Sequence, residues 1–260
     1  MGLLFIVALG LLGVKARAID SGGLASGTII GFLILVGGGW SWFLVILLFF
    51  IVSTQFTRYR YSYKHSIGFA QEKGGTRGWP NTLANGAVAS LAAVAELFYS
   101  GSLFAAAFLG AVAEATADTL STEIGLLSRT QPRLITSPLK RVTAGTSGAI
   151  TLLGQAIAVL SCILIGGAAF FLGILAGPVH RTLVVALTGG LVGTTTDSLL
   201  GASVQGINRC GICGQVTENL SHHNTPTIRV KGFRIIDNNV VNFISTAAGA
   251  ISAYLLLLVL

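Results

Sequence analysis

Charge is what this sequence lacks. It holds 16 basic and 9 acidic side chains, 25 among 260 residues or 10%, whereas soluble domains carry about 25%. That shortage excludes an ordinary soluble enzyme or a nucleic-acid-binding module. Other absences narrow the field further. No basic run precedes the first apolar stretch, and Lys15 and Arg17 follow it, so residues 2–14 do not read as a cleaved signal peptide. Position 6 is Ile6, not Ser or Thr, which argues against N-myristoylation. The order G-x-x-x-x-G-K-[ST] of a Walker A loop does not occur. What is present is 53% hydrophobic residues, a mean hydropathy of +0.80 and 34 glycines, the composition of a polytopic membrane protein.

Apolar runs free of Lys and Arg at 2–14, 22–37, 39–56, 81–98, 101–117, 145–173, 182–205 and 238–260 predict an all-α fold of about eight transmembrane helices in a single domain, 1–260. Polar segments lie near 57–80, 118–144 and 206–237, with a short one at 15–21. Assigning these segments to one side places 15 of the 16 basic residues there, Arg181 being the exception. Lys and Arg accumulate in cytoplasmic loops, so the polar segments are expected in the cytoplasm and both termini outside. Small-xxx-small pairs, Gly27 and Gly31, Gly86 and Ser90, Gly189 and Gly193, would let helix backbones approach closely.

The stretch from Gly110 to Leu120 aligns with Gly189 to Leu199 at a constant offset of 79, matching Gly, Thr116 with Thr195, Asp118 with Asp197, a hydroxyl (Thr119 with Ser198) and Leu. Each copy ends an apolar run, so a duplicated helix would bring Asp118 and Asp197 to one cleft. Acids at the edge of hydrocarbon are functional candidates by default. Glu114 lies one helical turn before Asp118, and Glu123 five residues after it. With the hydroxyls of Thr119, Ser121, Thr122 and Ser198 they form an oxygen-rich set suited to Mg²⁺, Asp118, Glu123 and Asp197 being its expected ligands. The plainer reading is that Asp118 and Asp197 form structural ion pairs with Lys or Arg.

Three segments have phosphate-binding character. In Lys73-Gly74-Gly75-Thr76-Arg77, which precedes an apolar run, glycine N–H groups and two cations could cradle an anion, with Asn81 or Thr82 capping the next helix. A basic loop lying on anionic lipid is the alternative. Lys140 and Thr146 belong to a second basic, hydroxyl-rich turn, residues 137–148, leading into the sixth run. The third holds Asp237, Asn238, Asn239 and Asn242, where Asp237 could equally serve only as a helix cap. Asn85 and Asn242 fall within the first turns of apolar runs and are harder to explain as surface residues.

Cys210 and Cys213 form a C-x2-C pair followed by His222 and His223, a candidate zinc ligand set. Reduced thiols without metal are the alternative, and a disulfide is not expected on a cytoplasmic face.

These motifs resemble an integral-membrane family that includes transmembrane protein 19 and the phytyl-phosphate kinases of plants and cyanobacteria. The matching stretches are Lys73 to Arg77 with Asn81 to Gly86, Ala117 to Gly125, Gly145 to Gly154, Thr196 to Gln205 and Asp237 to Asn242, in the family's order and across nearly the whole chain. This sequence departs from the family at Thr196, where Gly is frequent, and at His223, where Cys is frequent. The resemblance implies a membrane kinase that converts an isoprenoid monophosphate to the diphosphate, with CTP as donor and Mg²⁺ as cofactor. Its expected partners are an isoprenoid phosphate, a nucleoside triphosphate and membrane lipid, with no nucleic acid. On that reading Asp118, Asp197, Lys73 and Arg77 are catalytic, and Gly74, Gly75, Asn81, Asn85, Thr119, Ser121, Lys140, Thr146, Ser198, Asp237, Asn238, Asn239 and Asn242 bind substrate or nucleotide. Two other readings use the same residues, an ion-coupled transporter and a cytidylyltransferase making a CDP-lipid.

Overall fold

A computed structural model describes residues 1–260 apart from Gly68, Ser100, Gln215 and Asn219, and apart from the side chains of Glu72 and His222. Its helices are α1 (Gly2–Lys15), α2 (Ser21–Arg58), α3 (Tyr61–Ser66), α4 (Trp79–Phe98), α5 (Ser102–Gly125), α6 (Leu152–Phe171), α7 (Val179–Ser203) and α8 (Asn238–Leu257). Five of them, α2, α5, α6, α7 and α8, are long and apolar enough to cross a membrane, and α1 is a shorter apolar helix of 14 residues.

The 38-residue α2 is not one rod. At Gly39 the backbone leaves the helix with φ 72° and ψ −168°, a conformation open to glycine because it has no Cβ. The chain then doubles back. A Cβ on Gly31 would lie 3.2 Å from the Phe43 ring, although twelve helical residues would separate the two by roughly 18 Å along a straight axis. Asp20 caps the start of α2 by accepting from the Gly23 N–H at 2.8 Å. At its far end Arg58 donates to the Ala16 carbonyl at 2.7 Å, so both ends lie on the same side.

Helix α5 sits at the centre. Residues Ala105 through Ala117 are buried without interruption, and α2, α4, α6, α7 and α8 all pack against it. A helix buried all round needs small side chains on every face if its neighbours are to close on it, and this stretch is mostly Ala and Gly. The closest approach is a three-helix crossing of α5, α7 and α8. Gly110 and Gly189 meet there, and a Cβ on Gly189 would stand 2.4 Å from the Gly110 Cα and 3.0 Å from the Gly249 carbonyl oxygen. The outer surface is apolar, with Leu4, Leu12, Ile29, Leu91, Leu160 and Ile251 all more than half exposed. A belt of this kind fits a lipid environment better than water.

The polar segments gather at one end of the bundle. Ile19 and Arg77 pair as a β-bridge, Lys64 bonds Glu123, Ser147 bonds Glu218, and Gly145 lies against Phe69. These segments are not purely helix and coil. Strands β1 (Arg133–Leu134), β2 (Ser137–Arg141) and β3 (Ala149–Ile150) form one sheet in the order β2-β1-β3. Strands β4 (Ile207–Arg209), β5 (Val216–Thr217) and β8 (Ile228–Lys231) form a second in the order β5-β4-β8, and β6 (Ser221–His222) pairs with β7 (Thr225–Pro226). Hence the chain is mostly helical rather than wholly so, because backbone outside the helices needs hydrogen-bond partners and finds them in short ladders.

Two expected boundaries also move. The sixth helix begins at Leu152, not near 145, because Thr151 caps it through the Gly154 N–H at 2.9 Å. Helix α4 has Gly78 as its N-cap, followed by Trp79 and Pro80. Neither Asn81 nor Thr82 caps it, and the Thr82 hydroxyl donates to the Gly78 carbonyl at 3.0 Å.

Candidate functional site

At the end of the bundle that carries the polar segments, α5, α7, the β3 turn and the β5–β6 linker enclose a cleft of about 150 Å³. Asp118, Ser121 and Thr122 line it from α5, and Asp197 and Ser198 from α7. Thr146, Ser147 and Gly148 contribute from the turn before β3, with Glu218, Gln205 and Asn238 closing it. Each carboxylate has a structural reason for its place. Asp118 and Asp197 both lie eight residues beyond the crossing glycines Gly110 and Gly189, which is about 12 Å along either helix. Glu218 is fixed by the Ser147 hydroxyl, which donates to its Oε1 at 2.8 Å.

Glu114 lies deeper, one turn before Asp118, 1% exposed. Its Cβ is under Gly249 and its Cγ under Gly193, so only glycine at those positions leaves it room. Both of its carboxylate oxygens are buried with no hydrogen-bond partner among the described residues. It faces the charges of Asp118 and Asp197, and those two face Glu218. Four of the nine acids therefore converge. Among the described residues the ion pairs are Lys64–Glu123 and Lys73–Asp20, and neither neutralises this group. The expected structural pairing of Asp118 and Asp197 with Lys or Arg is not what the structure has. Beside Asp197 stands Ser245 on α8, its hydroxyl 3.5 Å from Oδ2 while it donates to the Val241 carbonyl at 2.8 Å.

Glu218 is an exposed residue as a whole, yet the protein packed around its carboxyl raises its pKa by burial. The Asp237 charge raises it further, while the Ser147 bond and the Gln205 amide act the other way. Uncompensated acids this close together call for a neutralising cation or for protons. A hard divalent cation fits the donors: unpartnered carboxylate oxygens, further carboxylates, and the hydroxyls of Ser121, Ser147 and Ser198.

Glu123 belongs to a different centre. Its Oε2 accepts from Lys64 Nζ at 2.5 Å, and both side chains are buried, 4% and 0% exposed. The same ammonium donates to the carbonyls of Phe56 and Thr57. Arg77 lies beside this pair with its guanidinium over the Phe49 ring, 5.5 Å from the centroid. Burial lowers the Arg77 pKa to about 10, opposed by the Glu123 charge, so it remains a cation at neutral pH. Lys73 is 70% exposed and stands 3.6 Å from Asp20. Lys73, Gly74 and Gly75 all have positive φ, and a Cβ on Gly75 would meet the Thr57 methyl at 2.8 Å. This basic turn packs on the 15–21 segment and does not line the acid cleft. Glycine is needed there for the turn itself.

The remaining expected residues divide between the two places and the α4–α8 seam. Asn85 is buried and donates to the Asn81 carbonyl at 2.9 Å. The Asn81 and Asn242 side-chain oxygens are buried without partners among the described residues, and the Thr246 hydroxyl of α8 donates to the Ala84 carbonyl of α4 at 3.3 Å. Asp237 caps α8, accepting from the Val240 N–H at 2.9 Å, so its carboxylate is engaged locally. Asn238 lines the cleft, whereas Thr119 and Asn239, on α5 and α8, do not. Lys140 is exposed on β2 and faces Lys231, whose pKa is lowered by burial and then by the Lys140 charge. Lys231 donates to the Ala202 carbonyl at the end of α7, and Ala202 packs on Gly148 of the cleft wall.

Two participants escaped the sequence reading. Ser245 has no motif around it. Glu218 had a signal, because it and Asp237 are the only acids in the segment 206–237, and Asp237 is explained by capping.

Cys210, Cys213 and His223 come together, with candidate ligand atoms all within 4.8 Å of one another. The His222 side chain lies outside the described residues.

A helical bundle with carboxylates gathered under polar loops at one end defines an integral membrane protein with a polar site at the edge of its bundle. Residues 4–250 match the family described as integral membrane protein DUF92, and the chain belongs to it, the family that its motifs pointed to. An uncharacterised membrane protein of Methanocaldococcus jannaschii is 33% identical over 208 residues, covering 78% of this chain and 81% of that one. Protein PGR of Arabidopsis thaliana is 30% identical over 257 residues, with coverage of 89% and 86%. Protein VTE6, chloroplastic, of the same plant is 25% identical over 243 residues, 92% of this chain but 65% of that relative. No solved structure matches the chain.

Proposed function

We propose that this protein is a CTP-dependent isoprenoid-phosphate kinase acting at the cytoplasmic membrane face, with both termini outside. The observation that carries the proposal is the convergence of Asp118, Asp197 and Glu218 on a hydroxyl-lined cleft, with Glu114 buried behind the two aspartates, and with no basic partner in an ion pair among the described residues. Mg²⁺ held by Asp118, Asp197 and Glu218 would supply charge neutralisation for a polyphosphate. The constant offset of 79 between α5 and α7, with equivalent Gly110 and Gly189 in contact, supports a duplicated helix as the origin of the two aspartates.

On this reading the hydroxyls of Thr146, Ser147 and Ser198 orient phosphate oxygens, and Lys140 and Lys231 add positive charge beyond the cleft wall. Lys73 and Arg77, set apart beside Asp20 and Glu123, attract the anionic lipid headgroup toward this face. The acceptor is a prenyl monophosphate whose ionised oxygen attacks the terminal phosphorus of CTP. The new P–O bond forms as the bond to the CDP oxygen breaks, and no general base is needed.

The test is incubation of detergent-purified protein with Mg²⁺, phytyl or geranylgeranyl phosphate, and CTP or ATP. CDP and prenyl diphosphate are the expected products, lost in Asp118→Asn. Pyrophosphate with a CDP-lipid would assign a cytidylyltransferase instead. The burial of Glu114 inside the three-helix crossing favours a second reading, ion-coupled transport. It would be favoured if no donor turned over while reconstituted vesicles carried a Glu114-dependent ion flux.

A further inference from the structure

We infer that Cys210, Cys213 and His223 form a zinc site that clasps two hairpins together and so holds Glu218 over the acid cleft. The site is distinct from the carboxylate cluster in both position and chemistry. Its coordination set does not depend on what the cleft catalyses.

The C-x2-C pair occupies the tip of the hairpin made by β4 and β5, whose register pairs Asn208 with Thr217 and Arg209 with Val216. The chain turns there because the Gly214 N–H donates to the Cys210 carbonyl at 3.0 Å, with Gly214 at φ 70°. Nothing lies within 4 Å of a Cβ built on Gly214, so glycine is required by backbone conformation and not by crowding. That turn puts both sulfurs on one side. The third ligand comes from a second hairpin, in which His222 pairs with Thr225. This leaves His223 and Asn224 as a two-residue loop, at φ 53° and φ 58°. Positive φ at both positions is the signature of a type I′ turn. It holds the imidazole at the tip of the hairpin, next to the cysteine turn.

Ligand atoms within 4.8 Å of one another need to close by about 1 Å to match the separations around a tetrahedral zinc with bonds of about 2.0–2.3 Å. Two thiolates and one imidazole select zinc over the hard cations that suit the carboxylate cleft. Cys213 and His223 are exposed while Cys210 is buried, so the fourth coordination position opens outward.

The consequence for the cleft follows from chain order. Glu218 directly follows β5, and the linker from Glu218 to Leu220 joins the two hairpins. Asn208 of β4 donates to the Glu218 carbonyl at 3.3 Å. A metal joining residues 210 and 213 to residue 223 therefore closes a ring of chain around Glu218, reducing the freedom of the linker that aims its carboxylate at Ser147 and the aspartates. Glu218 acts here as a positioned residue, and the metal acts through it.

The test uses the full-length protein purified in detergent from zinc-supplemented cells. Elemental analysis is expected to find about one zinc per chain, and exchange to Co²⁺ should give a thiolate-to-cobalt charge-transfer band with visible ligand-field bands. Cys213→Ser and His223→Ala should lose the metal and the spectrum, whereas Cys162→Ser, altered in α6, should keep both. Removing zinc with a chelator should increase amide hydrogen exchange over 216–221, while α5 and α7 stay protected. Absence of zinc and of the charge-transfer band in the unmodified protein overturns the site. Zinc retained by both Cys213→Ser and His223→Ala overturns the ligand assignment. Exchange at 216–221 that does not respond to zinc removal overturns the clasp. Every one of these readouts is independent of turnover, so a failed kinase assay leaves the inference standing or falling by itself.

Discussion

Replacing Gly189 by Ala adds one methyl group at the place where three helices meet, and its cost can be worked from the geometry. The new Cβ would stand 2.4 Å from the Gly110 Cα, 3.2 Å from the Gly110 carbonyl carbon and 3.0 Å from the Gly249 oxygen. All three are backbone atoms, so no rotamer change relieves them. Carbon atoms rest at about 3.5–4.0 Å, so α7 must move away from α5 by more than 1 Å. Overpacking of this kind costs about 1–3 kcal/mol, offset by up to about 1 kcal/mol from the better helix propensity of Ala. A net loss of about 1–2 kcal/mol corresponds to roughly 2–8 °C in a chain of this size. Gly167→Ala is the matched control, because it is also a helix-interior glycine yet nothing lies within 4 Å of its Cβ. Thermal unfolding in the same detergent, followed by the fluorescence of the three Trp residues, should separate the two. Gly167→Ala should hold or gain, and Gly189→Ala should fall. If the two variants melt together, the close crossing of α5, α7 and α8 is wrong, and with it the account of how Asp118 and Asp197 are brought to one cleft.

Three further outcomes are expected. Lys64→Met alone or Glu123→Gln alone should destabilise by about 3–5 kcal/mol because each leaves a buried partner unsatisfied, while Lys64→Met with Glu123→Leu should recover much of that loss; thermal melts of the three variants check it. Mg²⁺ at about 100 times its dissociation constant should add about 2.7 kcal/mol of stability if it binds only the folded protein, and thermal melts with and without Mg²⁺ should show that Asp118→Asn with Asp197→Asn abolishes this gain. Finally, the raised pKa of Glu218 has a definite sign in metal-free protein. The folded state prefers the protonated acid, so its contribution is fully present below the ordinary glutamate value of about 4.3 and is lost as pH rises through the elevated folded value. The melting temperature of chelated protein should decline across that window, and Glu218→Gln should remove part of the slope.

Sequence and structure agree best where a short-range pattern carried the information. The alignment of Gly110 to Leu120 with Gly189 to Leu199 pointed to Asp118 and Asp197 together, and they share a cleft. The apolar runs 22–37 and 39–56 leave a break at Gly38, and the chain reverses at Gly39. What escaped detection depends on distance along the chain. Glu123 looked like a metal ligand because it follows Asp118 by five residues, but its partner Lys64 lies 59 positions earlier, and no local pattern reveals that. The short strands of two to five residues hold too few side chains to show an alternating period. The family resemblance sets Lys73 and Arg77 beside the acids, whereas the turn that carries them packs on the 15–21 segment, with Arg77 set against Phe49.

The reversal at Gly39 has a consequence for handling the protein. Because α2 turns on one glycine, with no loop, the main exposed connection described at that end is the short turn between α6 and α7, Leu172 to Pro178, whereas the β-ladders and basic turns all sit at the other end. A sealed vesicle containing this protein should therefore give two distinct patterns under limited proteolysis: chains inserted one way lose the segments around 60–80, 128–150 and 207–235, and chains inserted the other way are cut at the α6–α7 turn into two large halves. The ratio of the two fragment patterns reads out the insertion direction without a tag, an antibody or a substrate.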